Sequence, residues 1–149
     1  MWLPQFPLNV VCNLYIDPSA KLNLTIHSDV GQIKMNAATP ITFEELNLET
    51  TTGGIDASLS KGAVVAGSVS LKTTTGAVQF KMDEADVSGN VSVDLQSTTG
   101  TVNVDLAATP RLAGNVTVNA RTTTGSVNLH MEIDGDVGAR IESATNLGE

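Results

Sequence analysis

Residues 69–82 read VSLKTTTGAVQFKM, and the reading of this stretch decides the fold. Val69 and Leu71 alternate with Ser70 and Lys72 before the threonine run, and Val78, Phe80 and Met82 alternate with Gln79 and Lys81 after Gly76. Strict apolar–polar alternation has the period of a β-strand with one wet face. The apolar positions are odd offsets from the glycine before it and even offsets after it. The buried face must therefore be reset at the glycine, which calls for a bend. Glycine tolerates the positive φ that such a bend often requires.

The same unit recurs on both sides. Residues 46–59 read LNLETTTGGIDASL, 93–106 VDLQSTTGTVNVDL and 118–131 VNARTTTGSVNLHM, with a divergent copy, LTIHSDVGQIKMNA, at 24–37. The corner glycines are Gly31, Gly53, Gly76, Gly100 and Gly125, so successive corners lie 22, 23, 24 and 25 residues apart. Asn146 is expected to fill the slot in a last partial repeat, with Ile141 and Ala139 five and seven residues before it. A period of this size points to a solenoid or array. Each repeat reads strand, corner, strand, loop. Gly67, Gly89, Gly114 and Gly138 are expected in the second loops, each shortly before the next strand. Each corner glycine is preceded, three residues earlier, by a hydroxyl: Ser28, Thr50, Thr73, Ser97 and Thr122. Stacked hydroxyls at a corner can bond to free backbone groups, an account of the TTTG motif that needs no ligand.

The expected fold is all-β, a β-solenoid of about five to six coils, with an antiparallel meander or sandwich as the alternative. Thr-Gly turns between alternating strands also read as hairpins. Like residues at like positions and the steady period favour the solenoid. The low aromatic content, 3% against 41% hydrophobic overall, suits a narrow core repeated many times. The 149 residues are read as one domain. Residues 1–21 are expected to form an N-terminal cap and first strand, with Trp2, Phe6 and Leu8 folding over the first coil, and residues 22–147 the repeats. The C-terminal stretch starts a sixth coil and has no such cap. Either the chain is a fragment, or this edge docks on another subunit.

The L-x-L-x-T-T-T-G-x-V-x-V unit resembles the DUF4097 β-strand-repeat proteins of bacteria and archaea, which carry an adhesin label. The resemblance covers residues 22–147. It implies a β-helix-like domain, frequently associated with the cell envelope, without established catalysis.

The chemistry-bearing residues point to no active site and no cofactor. The net charge of −8 and the lack of a basic stripe remove the electrostatic footprint of a nucleic-acid binder and argue against adsorption to anionic lipid. Cys12 is the only cysteine, so no internal disulfide forms. The opening MWLPQFPLNVVCNLYI lacks a basic n-region, and Pro4 and Pro7 interrupt it, so it reads poorly as a signal peptide. His27 and His130 occupy outward slots four repeats apart. Glu132, Asp134 and Asp136, and likewise Asp83, Glu84 and Asp86, read as solvated acidic turns rather than cation loops. No acid cluster of the kind a polysaccharide-cleaving β-helix needs is evident in the outward rows. The pairs Thr50/Thr52, Thr73/Thr75, Ser97/Thr99 and Thr122/Thr124 form a T-x-T rank that, if it faces outward, suits ice or a crystalline polysaccharide. The leading expectation is a non-enzymatic structural or adhesion-type scaffold facing a protein or polysaccharide surface. The alternative is a filament-type β-helix assembling end to end through its C-terminal edge, as bactofilins do, and third comes a carbohydrate-active enzyme.

Val127 and Leu129 are assigned inward. Replacing either by Asp is expected to unfold the last coils, because an unpaired buried carboxylate costs several kcal/mol. Thermal melts followed by circular dichroism check this, and unchanged stability contradicts the assignment.

Overall fold

The computed structural model describes residues 17, 19–38, 40–108, 112–133 and 138–147. The expected N-terminal cap, Cys12, Pro110, Asp134 and Asp136 lie outside the described residues. The strands form two sheets. The larger runs β1 (Lys21–Val30), β3 (Ile41–Thr52), β5 (Ala63–Thr75), β8 (Val91–Thr99), β11 (Val116–Thr124) and β13 (Ala139–Leu147), in that spatial order. The smaller runs β2 (Ile33–Ala37), β4 (Ile55–Leu59), β6 (Val78–Asp83), β9 (Val102–Ala108) and β12 (Val127–Ile133). Two short strands, β7 (Asp86–Ser88) and β10 (Leu112–Ala113), extend the larger sheet beside β5.

All the pairings among the described strands are parallel, each strand with its counterpart one repeat away. The chain is thus a β-solenoid of about five turns, and the meander does not form. A meander would need antiparallel neighbours joined by the TTTG turns. Instead each TTTG carries the chain from the larger sheet to the smaller.

The alternation predicts the core closely. Leu48, Leu71, Leu95 and Ala120 stack in one ladder and Leu46, Val69, Val93 and Val118 in the next, all buried. Facing them are Ile55, Val78 and Val102, with Leu59, Met82 and Leu106 further along. Volume is balanced along the axis: the fully buried Phe80 stacks between Ala57 and Val104. Each buried Leu or Phe contributes about 1.5–3 kcal/mol. On β12, the last described strand of the smaller sheet, Val127, Leu129 and Met131 are only partly buried against this core.

Five corner glycines have strongly positive φ, from 131° at Gly31 to 147° at Gly76. Stacking adds a second, steric demand. A Cβ on Gly76 would stand 2.0 Å from the Gly53 carbonyl oxygen, whereas one on Gly31, the first corner, would meet only the Ser28 hydroxyl at 3.8 Å. The amide of each corner is also used between coils, as Gly53 N–H donates to Thr75 O and Gly76 N–H to Thr99 O.

Two expectations are corrected. In the last coil Thr122 pairs with Thr145 and Thr124 with Leu147, so Asn146 stands in the slot of Thr123 rather than at a corner. Ile141 accordingly pairs with Val118 and Ala139 with Val116, while Ser143 falls five residues before the corner slot. By this register the corner slot itself lies outside the described residues. Asn tolerates positive φ and so imitates a corner glycine in sequence; the ladder hydrogen bonds determine otherwise. Gly67 likewise lies inside β5 rather than in a loop ahead of it. It sits where the register shifts between Phe43 and Glu45, and a Cβ there would lie 2.0 Å from the Glu44 carbonyl oxygen. The bulge needs a residue without a side chain.

Chain entry into β1 is set by Asp17. Its carboxylate accepts from the Ser19 N–H at 2.9 Å and the Ser19 hydroxyl at 2.7 Å, which holds its carboxyl below the usual range.

The two demands on the corner glycines separate by mutation. Gly31→Ala should cost only the φ strain, roughly 1–3 kcal/mol. Gly76→Ala adds a backbone collision and should cost more than about 3 kcal/mol. Urea unfolding of both variants checks the difference; equal losses would mean that stacking makes no demand.

Candidate lateral binding face

The outward slots of the larger sheet form rows along the solenoid axis, with successive members about 4.8 Å apart. One row reads His27, Glu49, Lys72, Gln96, Arg121 and Ala144. Beside it, nearer the corners, stand the exposed Thr51, Thr74, Thr98 and Thr123, one from each TTTG or STTG unit, followed by Asn146. From Glu49 and Thr51 onward the two rows line a shallow groove of about 410 Å³ that spans five coils.

The two members of each T-x-T pair face opposite ways, and the corner hydroxyls bond to backbone groups as the sequence suggests. Thr50, Thr73, Ser97 and Thr122 are buried, between 1% and 6% exposed. Each donates its hydroxyl to the carbonyl of the preceding corner: Thr50 to Gly31 at 3.2 Å, Thr73 to Gly53 at 2.9 Å, Ser97 to Gly76 at 2.9 Å and Thr122 to Gly100 at 3.0 Å. Thr145 continues the series to Gly125 at 3.2 Å. The flat T-x-T rank is therefore not presented to solvent. Its inward half shares the odd offset of the leucines and valines, a signal present in the sequence. The exposed threonines are adjacent pairs, Thr51 and Thr52 and their equivalents. No side-chain hydrogen bond ties up the hydroxyls of Thr51, Thr74, Thr98 and Thr123 among the described residues, so they remain free for a partner.

Charge on this face is mixed. His27 Nδ1 lies 3.6 Å from Glu49, and Arg121 lies 3.9 Å from Glu142, which also pairs with Arg140. Lys72 and Arg121 are the cations of the groove, in a molecule whose net charge is −8. A second depression of about 360 Å³ lies on the smaller sheet around Gln79, Asn103, Asn128 and His130. There the amides satisfy one another, Asn128 donating to Asn103 at 2.9 Å.

The other candidates stay apart. His27 is on β1 and His130 on β12, in different sheets and at opposite ends. His130 has only Glu132 beside it, at 3.5 Å. Asp83, Glu84 and Asp86 form a turn in which Glu84 has a positive φ of 54° and lies 3.9 Å from Lys61. Among the described residues no three His, Cys, Asp or Glu side chains converge as metal ligands, and no helix is long and apolar enough to cross a membrane.

Comparisons with protein-family models, with curated proteins and with solved structures find no match.

Thr73→Val removes a donor and leaves the Gly53 carbonyl buried without it, a loss of about 1–3 kcal/mol. Thr73→Ser should be nearly neutral, since Ser97 fills the same slot one coil on. Chemical denaturation of the two variants reads the difference, and equal stabilities would refute the structural role of the hydroxyl.

Proposed function

We propose that this chain is a non-enzymatic, adhesion-type scaffold that presents the groove of its larger sheet to an extended partner. The observation that carries this reading is the rank of free threonine hydroxyls beside Lys72 and Arg121, held at regular intervals across four successive coils and continued by Asn146 in a fifth. A linear polymer matches a linear repeat. Hydroxyl donors and acceptors suit a sugar chain, and the two cations favour one carrying carboxylates. The aromatic platforms that stack neutral sugars are not among the groove residues, so acidic polysaccharide is the favoured class. The groove is open and shallow, as a surface for a long ligand should be, rather than an enclosed pocket for a small one. The resemblance of the repeat to the DUF4097 proteins supports the same role and an envelope location.

Affinity chromatography on immobilised polygalacturonate and alginate tests the proposal. The chain should be retained at low salt and released as salt screens the charges. The Lys72→Glu, Arg121→Glu double variant should pass unretained. Equal elution of both forms on both matrices would sink the reading.

A further inference from the structure

Charge along the groove changes sign from coil to coil. Lys72 on β5 is an exposed cation that makes no ion pair among the described residues. In the coil before it stands Glu49, its ladder partner. In the coil after it stands the neutral Gln96, whose amide donates to the Asp94 carboxylate on the same strand at 3.2 Å. One coil further, Arg121 on β11 is a second exposed cation. Glu142 lies 3.9 Å from it but is also held by Arg140, whose Nε donates to that carboxylate at 3.0 Å. The Arg121 guanidinium thus keeps donors for a partner. The order along the axis is anion at Glu49, cation at Lys72, anion beside Gln96, cation at Arg121. The two cations stand two strand spacings apart, about 9.6 Å.

We propose that the groove selects a polysaccharide in which a uronic acid alternates with a neutral sugar, in preference to one with a carboxylate on every sugar. The inference rests on the lateral-face reading of the groove and specifies its ligand. Sugars joined through equatorial bonds advance an extended chain by close to one strand spacing each, so one sugar meets each coil. In an alternating chain the carboxylates then recur at the interval of Lys72 and Arg121, where each forms a charge-assisted hydrogen bond. The neutral sugar between them falls at the coil of Gln96 and Asp94. Its hydroxyl groups face the free hydroxyl of Thr98 on one side and polar acceptors on the other.

A polyuronate laid in the same place carries further carboxylates to the coils of Glu49 and Asp94. Whichever edge of the chain they project from, they find no cation there. The charged row offers Glu49 at one of these coils and Asp94 beside Gln96 at the other, and the parallel row offers only Thr51 and Thr98. In a molecule of net charge −8 such unpaired carboxylates are repelled. Attraction by charge density alone would rank a polyuronate first. The spacing of the cations ranks it second.

Salt-gradient elution from immobilised hyaluronan, an alternating glucuronate and N-acetylglucosamine chain, and from immobilised polygalacturonate tests the inference. The wild-type chain should leave hyaluronan at the higher salt, although that polymer carries only one carboxylate for every two sugars. The double variant Gln96→Arg, Arg121→Gln keeps the net charge and sets the second cation one coil from Lys72, and circular dichroism verifies its fold. It should leave hyaluronan at lower salt than the wild type and polygalacturonate at higher salt, reversing the order. Wild-type elution from polygalacturonate at equal or higher salt overturns the alternation and leaves the lateral-face reading in place. A folded double variant that elutes as the wild type does from both matrices also overturns it. Passage of the wild-type chain through both matrices unretained removes the lateral-face reading itself, and the inference with it.

Discussion

The approach of one corner to the next governs this molecule. Coils separated by one strand spacing bring the carbonyl of each corner glycine to within 2.0 Å of where the next corner would carry a Cβ, at Gly53, Gly76, Gly100 and Gly125 alike. Only glycine fits, and the same carbonyl then accepts the hydroxyl three residues before the next corner. The corner amide donates to the coil that follows. Both polar groups of the residue are thus used between coils, at the place where the chain leaves one sheet and neither ladder can serve it. No buried side-chain polar atom is left without a partner among the described residues. Parallel stacking, the turn toward the smaller sheet and the inward position of the hydroxyl all follow from this one contact.

The core depends on that corner in turn. Because the inward face changes from odd to even offsets there, the larger sheet directs Leu46 and Leu48, and the smaller sheet Ile55 and Ala57, into one narrow interior. A core of this width has room for few aromatic rings, and Phe80 is accommodated by small neighbours in its ladder. Each coil touches mainly the coils beside it, so stability accumulates by addition along the axis, as in other repeat proteins.

Much of this is legible in the sequence, because the relevant signals are local and repeated. Alternation names the buried residues, and a glycine every 22 to 25 positions names the corners. The inward hydroxyl was equally legible, since Thr50 and Thr73 share the parity of Leu48 and Leu71, yet a run of three threonines suggests a surface motif. The last coil was harder. Residue type alone favours Asn146 as a corner, and only the pairing of Thr145 with Thr122 fixes the true register. The bulge at Gly67 was hidden for a related reason, since it compensates for the backbone of Glu44 on a neighbouring strand. The groove is a sum over coils: Thr51, Thr74, Thr98 and Thr123 are unremarkable singly and become a surface only when stacked.

The outward rows differ in their symmetry. The threonine row is nearly invariant to a shift of one coil, whereas its neighbour changes from Glu49 to Lys72 to Gln96 to Arg121. A periodic chain lying along the threonines alone would find several equivalent positions and could migrate between them. The charges remove that degeneracy. They give the surface the character of a graduated rule, on which a partner with its own charge pattern has one preferred position and a uniform partner has many.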